Sequence, residues 1–331
     1  MSIAKVTKSA LIIRFNSIGD IVLTSPVIDA LHAHGYEVHY LVKASFKDML
    51  IHDKKIKKVW TLGDHLDEVI SELKKESFSV VIDLHNNFRS KKVKRALGTK
   101  SLTLAKNRWQ LWKLTQTPFK SHREKPIVHR FLDVIKPLGI DVASPKTRMV
   151  LDGVNLPSSI ELPAEPYLVI AVGAAWHTKR IPVETLIYIC QQCQCEHIVL
   201  IGDKHDQATA EKIKAQTQRQ LVNLTGQLSI IQSALVISKS AVVLSGDTGP
   251  MHMAAALEVP VVGVFGSTHP ALGYTPYYGD STVSFHLVQN ENLQCRPCTK
   301  QGKKQCPKGH FKCMLDLDSD EIVNKVNSYF A

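Results

Sequence analysis

The sequence predicts an α/β protein of two domains of nucleotide-binding type, facing each other across a cleft. Two stretches carry that expectation. In the first, the apolar run Ala241–Leu244 leads into Ser245-Gly246-Asp247-Thr248-Gly249-Pro250-Met251-His252. A helical stretch from Met251 to Leu257 follows, and a second apolar run, Val259 to Phe265, ends in Gly266-Ser267-Thr268. In the second stretch, Leu11–Phe15 reads as a strand and Asn16-Ser17-Ile18-Gly19 as a turn, and Asp20 begins a helix reaching about His34. Each is a strand–turn–helix unit with one aspartate at the turn. Helix starts and glycine turns expose backbone N–H groups, which suit a diphosphate.

The remaining elements follow in order. Glu37–Val42, Lys58–Leu62 and Val80–Leu84 read as strands, with helices at Phe46–Ile51 and Leu66–Lys75. This alternation predicts a parallel sheet covered on both faces. From Phe88 to about Arg130 the chain is basic and poorly periodic. It carries Arg89, Lys91, Lys92, Lys94, Arg95, Lys100, Lys106 and Arg108 with Trp109 and Trp112, and is expected as helices and loops over the cleft. Pro157–Pro166, with three prolines, marks the boundary between domains 1–160 and 161–331. Beyond it the alternation restarts: Tyr167–Val172, a helix Pro182–Cys193, His197–Ile201, a helix Gln207–Gln218, Leu221–Asn223 and a helix Ile230–Lys239. The tail from Ser319 reads as a capped amphipathic helix, and Asp316-Leu317-Asp318 before it as capping rather than a metal pair.

Composition bounds the function. The 331 residues are 44% hydrophobic and 21% charged, as in a globular protein. The net charge of +11 is uneven: residues 1–160 hold 27 Lys+Arg against 15 Asp+Glu, and residues 161–331 hold 14 against 15. A basic first half implies an anionic partner: nucleic acid, a membrane surface or a phosphorylated substrate. Lys5 and Lys8 precede only the short run Ala10–Ile13, which reads as a strand rather than a secretory signal. The longest apolar stretch, Met251 to Gly266, is broken by Glu258 and Pro260 and falls short of the roughly 18–20 residues that span a bilayer. A cytoplasmic protein touching a membrane electrostatically is therefore expected. Seven cysteines then argue for thiols or metal rather than a disulfide framework.

Several residues are candidates for chemistry. The Asp20 turn has one glycine where a dinucleotide fingerprint needs three, and no phosphate-loop ATPase motif is present. Asp20 either complements its helix dipole or points into the crevice at the strand's carboxyl end. Thr178, Lys179 and Arg180 follow a predicted strand; they form either a diphosphate clamp or a solvated turn. Cys190, Cys193 and Cys195 follow an apolar helical face and are expected as core thiols. Cys295, Cys298, Cys306 and Cys313, with His310 nearby, are either a structural zinc site or free thiols.

Taken together, these residues resemble a known family. Arg14-Phe15-Asn16-Ser17-Ile18-Gly19-Asp20-Ile21-Val22-Leu23-Thr24-Ser25-Pro26 is similar to the N-terminal signature of the lipopolysaccharide heptosyltransferases, glycosyltransferase family 9. Asp247-Thr248-Gly249-Pro250-Met251-His252 and Gly266-Ser267-Thr268-His269-Pro270 resemble its nucleotide-sugar motif. Thr178-Lys179-Arg180 and Asp83-Leu84-His85-Asn86-Asn87-Phe88-Arg89-Ser90 fit in order and position. Two departures are Trp176-His177 before the lysine and the four-cysteine insertion, which many members lack.

The resemblance implies the GT-B architecture, two Rossmann-like domains with the acceptor on the first and the donor on the second. It implies an ADP-heptose donor, a phosphorylated lipid A–Kdo/heptose inner-core acceptor and no nucleic-acid partner. Asp20 would be the general base of an inverting, metal-independent transfer, with no cofactor beyond the candidate zinc. Lys179 would be the second catalytic residue, stabilising the leaving ADP. Thr178, Arg180, Asp247, Thr248, Gly249, His252, Gly266, Ser267 and Thr268 would bind the donor. Asp247 could instead fix its turn, and His252 could be structural. Ser17, Asn87, Arg89 and Lys92 would bind the acceptor, with the basic segment also meeting the anionic inner membrane. The rivals are a nucleotide-sugar epimerase on the same fold and a nucleic-acid-binding protein with a cysteine–metal module.

Overall fold

Every position of β1 (Lys8–Ile13) after its first residue is buried, the mark of a central strand in a parallel sheet. It lies in the middle of a sheet completed by β2 (Tyr36–Lys43), β3 (Ile56–Leu62), β4 (Val80–Asp83) and β5 (Ser101–Thr103). The order is β3-β2-β1-β4-β5, parallel throughout. This computed structural model describes residues 8–106 and 123–331. Residues 8–106 with Ile127–Asp152 form one unit; residues 123–126 with Gly153–Ala331 form the other. Along the chain the second unit resumes at Gly153, just ahead of the proline-rich segment.

The single helix expected from Asp20 to His34 is two, α1 (Ile18–Val22) and α2 (Ser25–Ala33). Pro26 lacks an N–H and opens α2, so the ladder stops at Leu23–Thr24 and restarts. Phe46–Ile51 is likewise not an α-helix; Ala44–Met49 forms a 3₁₀ turn. Next come α3 (Leu66–Leu73) and α4 (Phe88–Leu97), the latter inside the basic segment expected as helices and loops. Asn87 and Ser90 cap α4 reciprocally, and Gly98 ends it at φ +62°. Arg108, Trp109 and Trp112 lie outside the described residues. Helix α5 (Ile127–Asp133) and the return strap close the unit. There Arg148 binds both Asp29 oxygens (2.9 and 3.0 Å from Nε) and Asp53 (2.8 Å). Leu11, Ile13, Phe15, Leu41, Trp60, Val81 and Val93 pack the core beside the sheet.

The second unit repeats the plan. Strands β6 (Tyr167–Ala171), β7 (His197–Ile201) and β8 (Leu221–Asn223) alternate with α6 (Val183–Gln192) and α7 (Gln207–Gln216). Then come α8 (Ile230–Ser238), β9 (Val242–Gly246), α9 (Gly249–Ala256), β10 (Val261–Phe265) and β11 (Phe285–Gln289). The tail is α10 (Lys312–Leu315) and α11 (Ser319–Asn327), the latter capped by Asp318 as expected. The sheet order is β11-β10-β9-β6-β7-β8, all parallel. Cys190, Cys193 and Cys195 are buried in its core, as their apolar helix face implies. Among the described residues no helix is long and apolar enough to cross a membrane.

Candidate active site

Counting each unit's strands from one, the orders are 3-2-1-4-5 and 3-2-1-4-5-6. In such sheets the loops after strands 1 and 4 diverge to opposite faces, and ligands bind at that switch point, beyond the strands' carboxyl ends. The sequence-predicted residues gather at these two places.

In the first unit the switch lies between β1 and β4. Asp20 enters from α1, and Arg14 Nη2 sits 2.5 Å from its Oδ2, with side-chain exposures of 14% and 12%. Arg14 is itself held, donating to the Leu84 carbonyl (2.8 Å) and the Asn16 carbonyl (3.3 Å). The other oxygen, Asp20 Oδ1, is buried and has no hydrogen-bond partner among the described residues. Ser17, which turns the chain into α1, has φ +77°, a left-handed backbone that costs a non-glycine residue energy. His85 faces Phe15 edge-on at 5.1 Å. Burial, then the nearby Arg14 charge, push its pKa down to about 4, so the ring is neutral near pH 7.

The end of β4 organises the expected acceptor segment. Buried Asp83 accepts from the N–H groups of His85 (3.0 Å) and Asn86 (2.7 Å) and pairs with Lys94 at 2.8 Å. Asn87 uses its side chain to cap α4, accepting from the Ser90 N–H at 2.9 Å. Lys92 pairs with Asp67 at 2.7 Å on the surface, and Arg89 is exposed. Of the four acceptor candidates, then, two have structural partners.

In the second unit the switch lies between β6 and β9, and the loops after β6, β9 and β10 meet there. Lys179 Nζ is 2.9 Å from Asp247 Oδ2, with exposures of 16% and 7%. Thr178 is fully buried; its Oγ1 accepts from Ser267 Oγ and from the Lys303 N–H, both at 2.8 Å. Thr248 stands at the start of α9, its hydroxyl 2.9 Å from Ser245 Oγ. Gly249 is the first residue of α9, and Thr268 and His252 are buried. Glycine is required at two contacts: a Cβ on Gly246 would strike the Lys179 carbonyl, and one on Gly266 would come within 2.8 Å of the Thr178 carbonyl. Arg180 stands apart from this cluster, paired with Asp206 at 3.0 Å and donating to the Ala174 carbonyl. Burial raises the Asp206 pKa despite that pairing.

The cysteine loop packs against the same turns. The Cys298 N–H donates to the Ser267 carbonyl at 3.1 Å, and Cys295 Sγ lies 3.8 Å from His310 Nε2. Burial pushes the Cys298 thiol up, aided by Cys295 and Cys306, and pushes the Cys313 thiol up to about 12. Among the described residues no three or more His, Cys, Asp or Glu side chains are gathered as metal ligands. Cys298, Cys306 and Cys295 all act through space on Cys313, so the four thiols lie in one region of the loop, and no step below is routed through a metal. Sequence reasoning missed Arg296 in this loop, whose buried guanidinium reaches the β10 turn. Its position between two cysteines gave no sign of that.

Two Rossmann-ordered parallel sheets, each with charged residues at its switch point, are the two halves of the GT-B fold. Solved structures agree. A glycosyl transferase family 9 protein from Veillonella parvula superposes with a TM-score of 0.76 at 16% identity, covering 98% of this chain and 97% of that one. The E. coli heptosyltransferase WaaC, solved with ADP, gives 0.70 at 17% identity, covering 97% and 99%. At these identities the likeness is one of fold. Among curated relatives, lipooligosaccharide heptosyltransferase 2 of Haemophilus ducreyi is 31% identical over 140 residues, 40% of this chain. Lipopolysaccharide heptosyltransferase 1 of Pseudomonas aeruginosa is 30% identical over 162 residues, 48% of it. The chain spans 38% and 43% of those two relatives' lengths. The profile of glycosyltransferase family 9 (heptosyltransferase) matches residues 67–308. The chain belongs to glycosyltransferase family 9.

Proposed function

We propose that this protein transfers heptose from ADP-heptose to a sugar hydroxyl of the lipopolysaccharide inner core, inverting the anomeric centre without a metal ion. The observation that carries the reading is the convergence of Thr178, Lys179, Asp247, Thr248 and Ser267 at the second unit's switch point. A half-buried cation, hydroxyls and a helix start form a site for a leaving diphosphate.

In this reading Asp20 is the general base. Arg14 holds Oδ2 and fixes the carboxylate plane, leaving Oδ1 to take the acceptor proton. A carboxylate is a weak base toward an alcohol, so the proton moves late, once the attacking oxygen has bonded to the anomeric carbon and become acidic. The bond from that carbon to the diphosphate oxygen breaks, and negative charge grows on ADP. Lys179 and the N–H groups of Thr248–Gly249 and Thr268 stabilise it, in place of a divalent cation, while the Ser267 N–H ties its turn to the Thr178 carbonyl. Asp247 orients Lys179 and receives donor hydroxyls. Arg180, tied to Asp206, acts on the donor through the loop it braces. The exposed basic residues of α4 meet acceptor phosphates and the anionic cytoplasmic face of the inner membrane. The epimerase and nucleic-acid readings are not favoured, because neither draws support from the family match.

The test is incubation with ADP-heptose and a lipid A–Kdo acceptor, with and without chelator, read by mass spectrometry and anomeric proton NMR. One added heptose of inverted configuration, formed equally with chelator, is expected. ADP and free heptose without an acceptor product, or full dependence on a metal, contradicts the reading.

A further inference from the structure

Arg296 is 3% exposed, yet among the described residues it forms no ion pair. Its fork donates to the carbonyls of Phe265 (2.8 Å), Gly266, Thr268 (2.9 Å) and Asn290 (2.9 Å), and to Gln289 Oε1 (3.0 Å). Burial lowers the Arg296 pKa, and Cys313, Glu291, Cys298 and Cys295 act on it through space without pairing; the Glu291 carboxylate accepts from Gln289 Nε2 at 2.6 Å. A buried charge is costly unless paired, and neutral carbonyls satisfy its donors without cancelling it.

The carbonyls it gathers belong to the turn after β10. In a trans peptide the C=O and the following N–H point opposite ways. Drawing the oxygens of residues 265, 266 and 268 toward the guanidinium therefore aims the N–H ends of Gly266, Ser267 and His269 away from it; that of Ser267 is taken by the Thr178 carbonyl at 3.3 Å, which leaves those of Gly266 and His269. The turn presents the positive ends of those dipoles backed by a full positive charge. This is the Ser267–Thr268 turn that meets Thr178.

We propose that Arg296 is a positioning residue for the donor: a buried counter-charge behind the β10 turn, whose missing anion is the donor's diphosphate. The inference rests on the ADP-sugar reading above. It predicts that affinity for the phosphates, and not for the nucleoside, depends on this charge.

Gln289→Glu is the discriminating variant, because it places a carboxylate against the guanidinium without removing it. Calorimetry with ADP and with adenosine, alongside thermal melting, reads the effect. ADP should bind about tenfold more weakly, as expected when one nearby unit charge is cancelled. Adenosine should bind within about twofold of the wild-type protein, and Tm is compared with that of Gln289→Met, because both changes remove the Nε2 donor to Glu291. Gln289→Met, which removes the acceptor without adding charge, should keep ADP affinity within about twofold. Unchanged ADP affinity in Gln289→Glu, or parallel loss of ADP and adenosine, overturns the proposal. Arg296→Met should weaken ADP selectively in the same way; if it does not fold, the Gln289 pair still decides. A wild-type protein that binds adenosine but gains nothing from the phosphates refutes the donor reading itself, which separates the two failures.

Discussion

Lys179 and Asp247 are far apart in the chain and meet at 2.9 Å because Asp247 follows β9 and Lys179 lies in the loop after β6, neighbouring strands at the switch point of one sheet. Their strand–turn settings made both legible as candidates; that they pair was not, since pairing is a property of the folded sheet. The same holds for Arg14. It was visible in the motif, but its grip on Asp20 depends on Leu84 and Asn16 carbonyls fixing its fork. Lys179→Met should lower kcat by about 10²–10³, the usual loss for one donor to a developing oxyanion, with the far-UV spectrum unchanged. Steady-state kinetics with ADP-heptose would check it, and a loss below threefold would remove Lys179 from catalysis.

His85 gives a prediction with a defined sign. Its folded pKa of about 4 lies below the ordinary 6.5, so between these values the unfolded chain holds more protons than the native one. The associated stability is present above pH 6.5 and is lost as pH falls toward 4. His85→Asn should flatten the stability–pH curve there by up to about one proton's slope, measured by urea unfolding across pH. An unchanged slope would show that the ring titrates normally.

At the scale of elements, long periodic segments were legible and short edges were not. β1, β2, β6, β7 and the runs before and after Asp247 lie in sheet interiors, where burial on both faces leaves a continuous apolar signature. β5 has three residues with mixed exposure, and β11 begins exposed at Phe285, so neither announces itself. Helix α4 was expected only as part of a stretch of helices and loops, because charge masks its period: five of its ten residues are Arg or Lys, and only Ser90 and Val93 are buried. Its boundary was nonetheless written in Asn87, Ser90 and Gly98. Asn87→Ala should destabilise the protein by about 1 kcal/mol, the usual worth of such a cap, seen as a lower Tm. If Asn87 instead binds acceptor directly, acceptor KM will rise with no change in Tm.

For the whole molecule, the charge asymmetry was read from composition alone and has a local seat. Exposed Arg89, Lys91 and Arg95 lie on α4 beside Phe88, which is 83% exposed. Each basic residue near an anionic surface contributes about 1 kcal/mol. Co-sedimentation with phosphatidylglycerol vesicles should therefore be measurable at low salt and fall steeply with ionic strength. The triple change Arg89→Glu, Lys91→Glu, Arg95→Glu should abolish it; binding insensitive to salt and to these changes would contradict a role for α4 at the membrane.

The two-unit account assigns acid–base chemistry to the first unit and nucleotide binding to the second. Asp20→Ala separates these most directly, with transfer rate and ADP dissociation constant measured on the same preparation. The account predicts a fall in transfer of at least about 10² and an ADP affinity within about twofold of the wild-type protein. Transfer retained, or both quantities lost together, would contradict it.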